Sequence, residues 1–319
     1  MAACAEDLST SRTLTAPSAG CPGLVAVALT TSRFGHPSDS LVAVMPDPGK
    51  PFHQHEEEDT VMLDPIVDKG QLTETDRFIF ESWGYFMIPN VLTKDEAAEA
   101  YDVSRRLHQN RDREFGQIGR TYESEPVLER LIDHPDVLPK VQGLLGDRFV
   151  LQAGWNTMQP AHAGNGGWHQ DGSSAFDFKD LGFPVPLLQL RVSYLLTDQT
   201  VPGMGNMELI PGSHRSRVGL PDSIRKSNDD IAIGHVVCAE AGAALVFHNG
   251  VWHRTFRHDG DYDRYTTHYV YSPPWVRMAD RFSNDPEFLE RTTPLRRALM
   301  GEFARPDAPF GANYDPLPI

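Results

Sequence analysis

The sequence predicts a mainly β protein with flanking helices, and three observations carry that reading. After Gly146 the chain breaks into short β-prone runs at 149–158, 187–196, 207–210, 235–238, 243–247 and 265–271, separated by turns containing Gly and Pro. Many short strands divided this way suggest a sandwich or barrel. Before Gly146 the pattern is helical, with cap signals ahead of apolar runs. The third observation is composition: 319 residues, 40% hydrophobic and 23% charged, ordinary for a globular chain able to bury a sizeable core.

Taken in order, residues 1–63 are rich in Ser, Thr, Pro, Gly and Ala and close on the acidic tract Glu56-Glu57-Glu58-Asp59. No periodicity runs through them, so a poorly structured extension is expected, with one domain over 64–319. Residues 73–83 read as a helix with Thr73 and Asp76 as a capping pair, and 84–91 as a strand. Thr93-Lys94-Asp95-Glu96 is a capping box for a helix reaching about His108. Helical pieces follow at 126–132 and 137–145, the second capped by Asp136. The β core is expected at about 147–273.

Composition also excludes. A net charge of −15 argues against nucleic acid and against an anionic membrane surface. No apolar run is long enough for a membrane span, and the short 23–29 run lacks the basic flank of a signal peptide. Three scattered cysteines, Cys4, Cys21 and Cys238, form no disulfide framework; a reducing, cytoplasmic setting is expected.

Two His-x-Asp triplets stand out. His134-Pro135-Asp136 lies between helical segments, where a capping role for Asp136 suffices. His169-Gln170-Asp171 follows a β-prone run and precedes a Gly-Ser segment. On extended backbone, residues i and i+2 face the same side, so an imidazole and a carboxylate converge. A second histidine would complete the two-His, one-carboxylate set of non-haem Fe(II) oxygenases. His248 and His253 are the candidates, and on a continuous strand they face opposite sides, so one of them reaches the ion. Arg264, eleven residues beyond His253, favours His253. Its guanidinium fork suits a carboxylate, though pairing with Asp261 or Asp263 would serve equally.

Together these residues resemble the phytanoyl-CoA dioxygenase family of Fe(II)/2-oxoglutarate oxygenases. The resemblance rests on Trp168-His169-Gln170-Asp171, on Asn206 followed by Pro211-Gly212-Ser213-His214, and on Trp252-His253 with Arg264. It implies a double-stranded β-helix, the jelly roll of cupin-like proteins. It implies His169, Asp171 and His253 as ligands of Fe(2+), and Arg264 and Thr255 on the far carboxylate of 2-oxoglutarate. Gln152, Asn156 and Tyr194 match co-substrate positions, and Gln152 and Asn156, four apart, would share a strand face. O2 is the other co-substrate, succinate and CO2 are released, and the expected reaction is hydroxylation of a small-molecule metabolite or biosynthetic intermediate.

His214 is expected to be architectural. His258 stands where many members carry Asn, and an intact Asp171 argues against a halogenase. Residues 172–183, with Phe176 and Phe178, are a candidate lid. Gln189 and Arg191 share a face from which Arg191 could meet an anionic substrate group or make a structural salt bridge. The alternatives are a cupin-like metalloenzyme without 2-oxoglutarate, and a catalytically silent ligand-binding relative.

Overall fold

A computed structural model describes residues 64–109, 116–172 and 178–302, and Leu317. The chain divides into units Met1–Glu58 and Asp59–Ile319. The extension expected over 1–63 lies outside the described residues, and everything below concerns the second unit. No helix among the described residues is long and apolar enough to cross a membrane.

Helices α1 (Glu74–Trp83) and α2 (Lys94–His108) each open on a reciprocal capping box. Thr73 and Thr93 accept from the third helical N–H, and Asp76 and Glu96 reach back to the cap N–H. Each cap contributes about 1 kcal/mol. Asp76 also accepts from the buried Lys140 Nζ at 2.6 Å, tying α1 to a later helix. Between α1 and α2 runs β1 (Tyr85–Ile88); β2 (Gly116–Gly119), α3 (Pro126–Glu129) and α4 (Leu138–Leu145) follow.

Asp136 does not cap α4. The helix starts one residue later than expected, after Val137, with Pro139 in its first turn, where a missing N–H costs nothing. The Asp136 carboxylate pairs with Lys69 at 2.9 Å instead.

The β core comprises β3 (Val150–Gln159), β4 (Leu190–Leu195), β5 (Met207–Leu209), β6 (His235–Val236), β7 (Ala244–His248), β8 (His253–Thr255) and β9 (Arg264–Ser272). A short helix α5 (Asp222–Arg225) interrupts it, and α6 (Pro286–Arg291) and α7 (Pro294–Leu299) follow it. A major antiparallel sheet has the order β1-β7-β4-β9-β3-β2; a minor one has β6-β5-β8. These are the two walls of a jelly roll.

Strand alternation divides the major sheet cleanly. Phe86, Ile88, Val192, Tyr194, Val246, Tyr269 and Tyr271 face the helices in one apolar core. Tyr85, Met87, Leu195, Leu245 and Phe247 face the minor sheet in a second core with Leu209 and Val251. On the helix side, the hydroxyls of Tyr194, Tyr269 and Tyr271 donate to the carbonyls of Leu131, Leu128 and Ile132. Three sheet tyrosines thus bond carbonyls at and just beyond the C-terminal end of α3.

In the minor sheet, Arg254 is fully buried against Glu208, with Nε 2.6 Å from the carboxylate. Its guanidinium also lies 4.7 Å over the Trp168 ring and donates to the Asp229 carbonyl.

Two buried histidines predict acid sensitivity. His214 and His248 stack with ring centroids 4.9 Å apart. Burial pushes their pKa values down, to about 4 and about 3. The unfolded chain takes up these protons near pH 6.5, while the folded chain stays neutral to lower pH. Stability is therefore retained at neutral pH and falls as pH drops below about 6.5, with a slope approaching about 2.7 kcal/mol per pH unit for the pair. Urea melts between pH 7 and 4.5 should show this decline; a flat profile from 6.5 to 5 would contradict the buried, neutral pair.

Candidate metal centre

The segment carrying His169 docks on the edge of the minor sheet. His169 and His253 exchange backbone hydrogen bonds, each 3.0 Å, and the Asp171 N–H donates to the Asn249 carbonyl at 3.0 Å. This extended pairing turns the side chains of 169 and 171 towards His253. His169 Nε2 lies 4.0 Å from Asp171 Oδ1, and His253 Nε2 lies 3.6 Å from Asp171 Oδ2. One donor atom from each of the three falls within 4.8 Å of the others, the sole such His/Cys/Asp/Glu group among the described residues.

Both imidazoles are oriented from behind. His169 Nδ1–H donates to the Gly167 carbonyl and His253 Nδ1–H to the Val251 carbonyl, each at 2.9 Å. The proton is thereby placed on Nδ1, and each Nε2 lone pair points inward. Burial pushes the His253 pKa down to about 3, so this ring is a neutral donor at working pH. Two imidazole nitrogens and one carboxylate, with one face left open, fit Fe(II) of the facial-triad kind.

His248, the competing histidine, is absent from the centre. The strand is not continuous: β7 ends at His248, β8 begins at His253, and a turn intervenes. His248 Nδ1 accepts from the Gly250 N–H inside that turn.

A cavity of about 490 Å³ opens beside the triad. The major sheet lines it with Trp155, Thr157 and Gln159 of β3, Arg191 of β4, and Arg264 and His268 of β9. His169, His253 and Thr255 line the opposite side. His169, half exposed, also borders a second cavity of about 730 Å³ with Trp168, Gln170 and Trp252.

Arg264 is 3% exposed, and burial lowers its pKa to about 10, so it remains cationic at neutral pH. Its Nε donates to the Gly205 carbonyl at 2.7 Å and its Nη1 to Thr266 Oγ1 at 2.9 Å. No carboxylate among the described residues pairs with it. Asp261 pairs with His162, and Asp263 accepts from the Ala161 N–H. Gly205 makes the close approach possible. Its φ is +72°, and a Cβ there would sit 2.5 Å from Gln159 Oε1 and 3.3 Å from Arg264 Nε.

Three expected co-substrate contacts fall elsewhere. Asn156 and Tyr194 project from the helix side of the major sheet. Asn156 is bonded to Ser104 and His108 of α2, and Tyr194 to the Leu131 carbonyl. Gln152 sits at a register shift between Leu151 and Ala153, which breaks the expected shared face with Asn156. It bonds Gln189 and the Arg277 carbonyl and does not line the cavity.

Trp155, Thr157, Gln159 and His268 line the cavity instead. They alternate along β3 and β9 in phase with Arg264, so once Arg264 is placed in the cavity they follow by parity. His268 joins them through Thr157 Oγ1 at 3.2 Å and Ser193 Oγ at 2.7 Å, and burial holds it neutral.

The Pro-Gly-Ser-His turn is architectural. Ser213 Oγ accepts from the Trp252 N–H, and His214 donates to the Glu81 carbonyl. His258 closes the β8–β9 turn on the Tyr262 carbonyl. Part of the expected lid over 172–183, including Phe176, lies outside the described residues; Phe178 is buried in a 3-10 turn.

The phytanoyl-CoA dioxygenase (PhyH) family model matches residues 80–266. The chain belongs to the PhyH family. As a PhyH member it is an Fe(II)/2-oxoglutarate-dependent oxidoreductase. Among solved structures it resembles HygX from Streptomyces hygroscopicus, determined with nickel and 2-oxoglutarate, at 20% identity and a TM-score of 0.54, over 65% of this chain and 90% of that one. It also resembles SnoK, a non-haem α-ketoglutarate-dependent carbocyclase of nogalamycin biosynthesis, at 17% identity and a TM-score of 0.51, over 64% and 85%. At such identities the likeness establishes the PhyH member's fold. No curated protein matches it in sequence.

Proposed function

We propose that this PhyH member hydroxylates a small-molecule metabolite or biosynthetic intermediate, with His169, Asp171 and His253 as the iron ligands. The observation that carries this reading is Arg264, a buried cation without a carboxylate partner among the described residues, in the same cavity as a His-Asp-His donor set. Bound iron would supply activation of dioxygen coupled to decarboxylation of 2-oxoglutarate to succinate and carbon dioxide. The chain supplies the rest. Arg264, with the Thr255 hydroxyl on the facing wall, takes the far carboxylate. Trp155 and Phe247 line the cavity with apolar surface that keeps water from the reacting atoms. A small-molecule substrate agrees with the cavity's size, and HygX has been solved with hygromycin B bound. Scattered cysteines, with Cys238 free, favour a reducing cytoplasm.

Arg264→Leu tests the assignment. Losing a charge-assisted, forked contact of about 1.5–3 kcal/mol should raise the 2-oxoglutarate concentration for half-maximal succinate release by about 10–100-fold. An unchanged requirement would favour a cupin-like metalloenzyme that does not use the oxo acid. A protein that binds iron and 2-oxoglutarate but releases no succinate with any of a metabolite panel would point to a silent relative.

A further inference from the structure

We infer that Arg191 is a second anion-binding residue of the cavity, placed to grip a carboxylate or phosphate group beside the metal centre. This rests on the proposed placement of the metal at His169, Asp171 and His253. Arg191 stands on β4 between Leu190 and Val192, which face the helices, so strand alternation turns it into the cavity. Its guanidinium carbon lies 4.7 Å over the Trp155 ring, which holds the plane of the fork. Its Nε abuts Asp171 Oδ2. The guanidinium has five N–H donors, and Asp171 is the one acidic partner it meets among the described residues. Its terminal nitrogens have no hydrogen-bond acceptor among the described residues, and with the side chain 15% exposed they are left to face the cavity.

Charge leads to the same place. Two guanidiniums, Arg191 and Arg264, line the cavity, and one carboxylate, Asp171, abuts Arg191. A divalent metal and a doubly charged oxo acid cancel each other, so the loaded cavity keeps one positive charge in excess. Metal binding also draws on the Asp171 carboxylate that now faces Arg191. The excess sits in a chain of net charge −15, so it is a local feature of this wall. The anion can come from the metal-chelating carboxylate of the oxo acid or from the primary substrate. The residual charge favours the substrate.

The experiment is calorimetric titration of the full chain loaded with Ni(II), comparing wild type with Arg191→Gln and Arg191→Lys. The ligands are 2-oxoglutarate, 2-oxobutanoate (which lacks the far carboxylate), and inorganic phosphate added to the Ni(II)–2-oxoglutarate protein. If Arg191 grips the chelating carboxylate, Arg191→Gln weakens both oxo acids by tenfold or more. If it grips the substrate's anion, both oxo acids keep their affinity and phosphate binding falls by tenfold or more. In either case Arg191→Lys, which keeps the charge without the fork, loses less. Should the Gln variant fail to fold, the Lys variant carries the test. Oxo-acid affinities within twofold of wild type, with no Arg191-dependent phosphate binding, overturn the proposal. An Arg264→Leu variant with unchanged 2-oxoglutarate affinity would instead count against the co-substrate reading beneath it.

Discussion

Asp171→Ala is expected to weaken divalent-metal binding by more than about 100-fold, beyond the range that losing an outer hydrogen-bond partner costs. Anaerobic Fe(II) or Ni(II) titration reads this directly, and succinate release should fall below detection. The same substitution has a second consequence. Asp171 is the carboxylate that faces Arg191, and both are largely buried. Removing it leaves a guanidinium without compensation, at a cost of about 3–5 kcal/mol in stability. The two effects separate in a double variant. Asp171→Ala combined with Arg191→Met should regain most of the stability and none of the metal affinity. Metal affinity within threefold of wild type in Asp171→Ala would remove this residue from the ligand set.

Arg254→Met is expected to lower stability by about 3–5 kcal/mol, because Glu208 is left buried and unpaired. For a domain of this size that corresponds to a fall of about 10 °C in melting temperature. The Glu208 pKa is already raised by burial, and without Arg254 it should rise further, which a pH-dependent melt would reveal. Replacing both partners by apolar residues, as in Glu208→Leu with Arg254→Met, should recover much of the loss. Because Arg254 also stacks on Trp168, the residue before His169, the single variant should bind metal more weakly as well. A single variant that melts within 2 °C of wild type would show the pair to be energetically idle.

The three residues of the candidate metal centre were legible in the sequence because spacing alone brings two of them together. His169 and Asp171 needed only an extended backbone, and His253 was selected through Arg264. Asn156 and Tyr194 failed for one shared reason. Both lie on strands of the major sheet, but parity says only which residues share a face, not which face meets the cavity. Once Arg264 is placed, Thr157 and His268 follow from counting by twos. Gln152 failed differently: a single extra residue in β3 resets the count, and no composition signal marks it. Asp136 illustrates a third limit. A capping residue is recognised by its distance from the helix start, and Pro139 allowed the helix to begin one residue later. Thr73 and Thr93, with acidic residues three positions on, carried complete local signals and were read correctly.

On the proposed assignment the metal and the oxo acid would be held by different walls of the jelly roll. His253 belongs to the minor sheet, with His169 and Asp171 on its edge, while Arg264 and Arg191 belong to the major one. The gap between the walls therefore works as a gauge for the length of the molecule that bridges them. Leu209, Leu245 and Val251, which pack between the sheets without lining the cavity, set that gauge. Tolerance for shorter or longer oxo acids is consequently a property of the apolar filling, and it can drift while every ligand and arginine stays in place.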